Sequence, residues 1–326
     1  MATEKVPEVA AGTAPQVARP GLARRPPRVR AVRLRVGRGT LVLPPLGIVL
    51  LVLVGPVVLL ALYSVNLRTN IPGTSTAFST ANWKDFLTGP GNPFRGRFFY
   101  SLKITLLVSV ATTVAAYPLA YYLAFVARRF RYTLLLVLIA PFFTSYLLRI
   151  VAWSDIVLNN NGVINQALWA LHLRAHGNGL GWLLYSNFSI FLVLFYAWIP
   201  FVSLPIFAVL ENMDHQLTEA AADLGASRFT TFRTVTFPLS LPGVIAAFVF
   251  VLIPTTGEFI APLYVGGPNN QLFGNEIQSF FGDSPNWNYG AVLAVALIVV
   301  VLVLMLVFGR FLSTDLRTQR GGQVGR

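Results

Sequence analysis

Acidic side chains are scarce in this chain, 12 among 326 residues, so those placed in apolar sequence carry information. Glu258 lies within an apolar segment beside Gly257 and shortly after Pro254. A carboxylate there is costly unless it faces a cavity or a partner. Asp155 follows Trp153 just past another apolar segment. Carboxylates with aromatic faces suit an organic cation, through charge pairing and cation–π attraction, and Trp153, Tyr196, Trp198 and Tyr264 are the candidate aromatics for such a path. The competing reading has Glu258 pair with an arginine or cap a broken helix, with the aromatics as ordinary packing or interface anchors. His172 and His176 stand four apart, the spacing of two ligands on one helix face. No third ligand is near and Gly177 breaks the helix, so no metal site is expected. The chain has no cysteine and no nucleophile motif around a histidine, and no catalytic residue is assigned. It also has no G-x-x-x-x-G-K-[ST] loop, so it does not hold ATP in the manner of that loop and no cofactor is assigned to it.

A second group of residues suits docking rather than catalysis. Residues 211–242 form the longest polar, helix-compatible stretch between two strongly apolar ones. Residues 217–224 read as a short helix with Thr218, Glu219 and Asp223 on its polar face, ended by Gly225 in a left-handed conformation. Ser227 can cap a second helix from Arg228, which Pro238 ends or bends. Glu219, near the start of the first helix, would be favoured by the helix dipole and could meet a basic partner. Ala220, Ala221 and Ala222 are small enough for close approach.

These residues need a frame, and composition supplies it. The chain is 55% hydrophobic and 11% charged, with a mean hydropathy of +0.65, about half the charged fraction usual for a soluble domain. Most of it is expected in a bilayer. Six apolar spans are read at about 41–65, 99–126, 132–153, 186–210, 239–264 and 289–308, each able to cross a hydrocarbon core of about 30 Å. Gly55-Pro56 predicts a kink in the first. Pro118 interrupts the second, Pro141 lies inside the third, and Pro200 and Pro205 break the regularity of the fourth. The stretch 66–98 reads as polar loop, and residues 163–173 as an amphipathic piece near the interface. Residues 1–40, with five prolines and nine of the 25 basic residues, read as a disordered tail. The apolar run after it is of spanning length, so it reads as a retained helix and not a cleaved signal.

The net charge of +13 does not point to nucleic acid, because it concentrates in that tail and no basic folded face follows. It fits membrane topology and anionic lipid. Arg128, Arg129 and Arg131, then Arg228 and Arg233, then Arg310, Arg317, Arg320 and Arg326 fall on the same side as the tail if six spans are threaded. Only seven basic residues remain for the other side or outer helix ends. Both termini and the 211–242 elbow are therefore expected in the cytoplasm.

The elbow resembles the EAA loop of ABC-importer permeases. Glu219-Ala220-Ala221 is followed by three residues and Gly225, and nine more lead to Val235-Thr236-Phe237-Pro238, which stands for the family's I-x-L-P. Gly257-Glu258-Phe259, Gly266-Gly267-Pro268, Gly274-Asn275-Glu276-Ile277 and, more loosely, the stretch from Asp283 through Trp287 are similar to spermidine/putrescine importer permeases. The resemblance implies an all-α integral membrane protein with six transmembrane helices and the type I ABC-importer (MetI-like) permease fold. It places a permease domain at 41–312, with its coupling loop at 211–238 and a short C-terminal tail at 313–326. It implies that Glu219, Ala220, Ala221, Asp223, Gly225, Arg228 and Pro238 dock on a separate ATPase. The implied partners are a second homologous permease subunit, an ABC ATPase homodimer that carries ATP and Mg, and an extracytoplasmic substrate-binding protein or lipoprotein. The location implied is a bacterial cytoplasmic membrane, crossed several times, and the cargo a polyamine. Related permeases serve amino-acid-like compounds, iron and sugars. An ion-coupled secondary transporter would instead show paired broken helices, which the sequence does not reveal.

Overall fold

The computed structural model describes residues 38–70, 76–173, 179–282 and 286–321, without side chains for 38–42, 215 and 311–321. The proposed tail (apart from its last three positions), His176 and Asp283 lie outside the described residues. The chain divides between Leu51 and Val52 into two units. Of the first, the described part is helix from Arg38; the second carries the helices that build the sites.

Among the described residues the regular elements are all helical. Helix α1 (Arg38–Ser64) runs unbroken through Gly55 and Pro56. A short α2 (Ala81–Thr88) stands in the stretch read as polar loop. Helix α3 (Pro93–Tyr121) begins six residues before the apolar run, because the Asn92 side chain accepts from Phe94 N at 3.0 Å and Pro93 opens the first turn. Then come α4 (Arg131–Ile139), α5 (Tyr146–Ala152), α6 (Val163–Ala170) and α7 (Asn187–Glu211). The elbow is α8 (His215–Asp223) and α9 (Arg228–Thr231), and α10 (Phe237–Thr256), α11 (Phe273–Phe281) and α12 (Trp287–Gly321) complete the chain. Helix α12 continues beyond residue 312, where the sequence placed the start of a tail.

Among the described residues five helices are long and apolar enough to cross a membrane, and a sixth span exists if the pair Arg131–Phe143 and Tyr146–Ala170, bent by 86°, counts as one. The third span is thus not the continuous helix expected. Residues Ala140–Phe143 tighten into a 3-10 turn around Pro141, and Thr144 and Ser145 become extended, at φ −91°, ψ 153° and φ −57°, ψ 137°. The opposite correction applies to Pro118, Pro200 and Pro205, which lie inside unbroken helix. After Pro118 the slack appears as a π turn over Tyr122–Val126.

Helices α3, α7 and α10 pack together at the centre, and α12 packs on α10 and α11. In a bilayer the water-driven term is missing between helices, so close contact of small residues takes its place. Gly243 of α10 shows this: a Cβ there would sit 2.8 Å from Val209 Cγ2 and 3.0 Å from Pro205 O of α7. On α3 a buried Ser/Thr stripe faces the same centre, with Ser109, Thr112 and Thr113 each donating to the carbonyl four residues back at 2.7 Å. Thr105 Oγ1 instead donates to Thr255 O of α10, at 3.2 Å. Gly243→Leu is therefore expected to part α7 from α10. Its check is the yield of monodisperse protein in detergent, which should fall well below that of Gly243→Ala.

Candidate functional site: an elbow and a cavity between broken spans

The elbow forms for local reasons. Asp214 caps α8, accepting from Gln216 N at 2.9 Å, so the helix starts two residues earlier than its apolar pattern suggests. Gly225, at φ +82°, ends it. Ala226 N donates to Ala221 O at 3.0 Å and Gly225 N to Ala222 O at 2.9 Å, which together close a Schellman motif. Ser227 then caps α9, accepting from Thr230 N at 3.2 Å. Pro238 neither ends nor sharply bends the helix around it. A π turn, Phe232–Thr236, joins α9 to α10, and Pro238 falls in the first turn of α10, where a missing N–H costs little.

Glu219 lies in the second turn of α8, and no acid occupies its first. The helix-dipole argument for Glu219 therefore does not hold; Asp214 has that position. Glu219 instead lines a cleft of about 260 Å³ that also borders Arg128 of the loop after α3 and Arg228 of α9. Ala220, Asp223, Gly225, Arg228 and Pro238 are exposed, and Ala221 is half-buried. The apolar residues that the elbow presents were not singled out in the sequence: Leu224 is 89% and Phe229 73% exposed. Their signal was available, since both are large apolar residues inside an otherwise polar stretch. The elbow is tied to the bundle just upstream, where Arg131 Nη2 meets Glu211 Oε1 at 2.8 Å and Tyr132 OH donates to the same oxygen at 2.6 Å.

The second site lies where two spans break. Helix α10 stops at Thr256, Gly257–Phe259 lose helical form, and helix resumes at Ile260. Glu258 Oε1 accepts from Ile260 N at 2.8 Å and Ala261 N at 3.1 Å, capping the resumed segment. Its Oε2 accepts from Tyr146 OH at 2.8 Å. Tyr146 opens α5, directly after the break at Thr144–Ser145, so one carboxylate joins the two interruptions. Asn275 supports the break from α11, donating through Nδ2 to Phe259 O at 2.7 Å. Gly274 permits that approach, because a Cβ would stand 2.7 Å from Glu258 O and 2.8 Å from Gly257 O. Broken helices at membrane depth are stable only when buried in protein or lining a cavity, and here a cavity of about 390 Å³ is present.

Of the candidate path residues, Glu258 and Trp198 line this cavity, together with Tyr146, Arg149, Phe142 and Phe201. Trp153 and Tyr196 pair with each other instead, ring centroids 5.2 Å apart. Asp155 and Tyr264 are exposed and border neither this cavity nor the elbow cleft. Both parts of the structural alternative for Glu258 bear on the outcome: it does cap a broken helix, and it forms no ion pair with an arginine among the described residues. Arg149 and Tyr146 were not singled out in the sequence. A lone arginine inside an apolar run is itself a signal; Tyr146 had none, standing 112 positions from Glu258. His172 lies past the end of α6 at φ +56°, and no group of three or more possible metal ligands occurs among the described residues.

Several helices of spanning length packed around a cavity that holds Glu258 and Arg149 define an integral membrane protein with a polar site inside its bundle. The chain belongs to the family of binding-protein-dependent transport system inner membrane components, whose model matches residues 112–317. It is 34% identical over 211 residues to the spermidine/putrescine transport system permease protein PotB of Escherichia coli (strain K12), covering 65% of this chain and 75% of that protein. It is 30% identical over 186 residues to the corresponding permease protein PotC of Shigella flexneri, covering 56% of this chain and 64% of that one. In fold it is similar to a bacterial ABC transporter involved in the import of alginate, with a TM-score of 0.63 at 16% identity, covering 85% of this chain and 94% of that one. The chain is thus a permease subunit of an ABC importer and a multi-pass membrane protein.

Proposed function

We propose that this permease carries polyamines of the spermidine/putrescine kind and forms half of the pathway, a second homologous permease subunit forming the other half. The observation that carries the cargo is the extent of similarity to PotB, 34% over three quarters of that protein. Glu258, beside Trp198 and Phe201 in the cavity lining, gives one group suited to an ammonium end. ATP and Mg are held by a separate ATPase pair; this chain has no phosphate loop. The elbow faces the cytoplasm, as do both termini, and Glu219, Ala220, Ala221, Asp223, Gly225, Arg228 and Pro238 make the docking face with Leu224 and Phe229. When the ATPase pair closes on nucleotide, the elbows move with it. Because α9 passes through the π turn into α10 without a loop, that motion reaches the break at Gly257–Phe259 through continuous helix. The pathway then opens to a substrate-binding protein outside, and hydrolysis resets it.

An ion-coupled carrier working alone is the other reading, but its cue is paired breaks in matching halves, whereas the breaks here fall in the third and fifth spans. Vesicle reconstitution separates the two. The full assembly should take up labelled spermidine or putrescine only with ATP and binding protein, in preference to sugars. Uptake by this chain alone, driven by an ion gradient, would overturn the proposal.

A further inference from the structure

The cavity between the breaks holds more polar chemistry than a site for cations alone requires. Arg149 Nε and Nη1 are buried and have no hydrogen-bond partner, and neither does Trp198 Nε1. Both residues line the same cavity as Glu258. The Arg149 guanidinium is held by ring faces, its Cζ 4.2 Å from the Phe142 centroid and 5.6 Å from that of Tyr146. Such faces attract the positive charge but do not replace an acceptor for each N–H. Glu258 does not act as that acceptor, since its oxygens serve Ile260 N, Ala261 N and Tyr146 OH.

Buried donors left unpaired are costly and rare in native proteins, and each calls for an explanation. An arginine in a membrane span is costlier still and points to function. A ligand bearing only ammonium groups would meet the Arg149 charge and leave all these donors unmet. A ligand with an oxygen acceptor at one end would pair with the guanidinium once the Phe142 and Tyr146 rings that cover it shift, and its ammonium end would be drawn to Glu258 in the same cavity. Trp198, Phe142 and Phe201, which line the cavity, offer apolar surface to a methylene chain, and a volume of about 390 Å³ is within the range of small-molecule sites.

We infer that the cavity also accepts a linear amino-carboxylate, with its carboxylate on Arg149 and Trp198 and its ammonium toward Glu258. The inference rests on the reading of this cavity as part of the transport path and extends the cargo from polyamines to zwitterions of similar length. Arg149 and Trp198 would then be specificity-determining residues for the acceptor end.

The test is equilibrium titration of the assembled permease–ATPase complex in lipid nanodiscs, without binding protein, using δ-aminovalerate and cadaverine. These ligands share a five-carbon chain and differ in one end group. Arg149→Met should weaken δ-aminovalerate binding by about tenfold or more, the scale of one charge-assisted hydrogen bond, and leave cadaverine binding unchanged or tighter. Arg149→Lys should restore part of the loss. Trp198→Phe, which removes only the N–H and little volume, should weaken δ-aminovalerate alone and remains informative if Arg149→Met does not assemble. The inference is overturned if wild-type complex does not bind δ-aminovalerate, if both ligands weaken equally, or if neither substitution changes the zwitterion. Polyamine uptake by the full assembly is measured on the same preparations, and its absence would sink the polyamine reading while leaving the titration result intact.

Discussion

Gly225→Pro is expected to abolish ATP-driven uptake while the protein still inserts into the membrane. Gly225 holds φ at +82°, and proline is confined near −65°. The substitution also deletes the N–H that donates to Ala222 O, and with it the geometry that lets Ala226 N reach Ala221 O. The elbow would open at its corner, moving Leu224 and Phe229 off any surface they share with an ATPase. Crowding is not the cause, because nothing lies within 4 Å of a Cβ built on Gly225. Gly225→Ala should consequently be mild, with a cost of roughly 1–2 kcal/mol from the left-handed backbone alone. Co-purification of the ATPase and uptake in vesicles check both variants. Normal coupled uptake by the proline variant would sink the docking role of the elbow.

Glu258→Gln should lower the specificity of uptake, kcat/KM, for a polyamine by roughly ten- to a hundredfold, the range for losing one charged interaction in a dry site. Assembly should survive. The amide oxygen can still accept from Ile260 N and Ala261 N, and the Tyr146 hydroxyl can turn to accept from the new amide instead of donating. Glu258→Ala differs, because it strands two backbone donors and a hydroxyl where the span breaks, and it should cost several kcal/mol of stability. Uptake kinetics separate these effects from yield and melting of the purified complex. Unchanged kinetics in the glutamine variant would reduce Glu258 to a cap.

How much of the molecule is legible in its sequence depends on how local the causes are. The elbow was legible because Gly225 and Ser227 act within a few residues of themselves. The spans were legible because each is a long apolar run. Their interruptions were not. Pro118, Pro200 and Pro205 look like breaks, yet the helices run on, since packed neighbours and a π turn accommodate the missing donors. The third span breaks at Thr144 and Ser145, residues with no strong tendency to stop a helix, and the partner that secures the break is Glu258 from another span. For the same reason the cavity was half found. Glu258 and Trp198 were in view, and Arg149 was counted among the seven basic residues left for the other side or outer helix ends, although it lies within the third apolar run. Asp155 and Tyr264 satisfied the chemistry of the search, but the chain places them elsewhere.

The π turn at Phe232–Thr236 has a bearing on how such a transporter can be retuned. A π turn is an α-helix carrying one residue too many, and each residue of an α-helix turns the chain by about 100°. Removing one residue, Val235 for instance, would let α9 and α10 fuse in a single register, and the elbow would swing through about that angle around the axis of α10. The direction in which the elbow points is thus stored in a one-residue surplus, separately from the residues that make its surface. A lineage could redirect its ATPase by insertion or deletion at this turn and leave the elbow's own surface, from Glu219 to Phe229, and the cavity untouched.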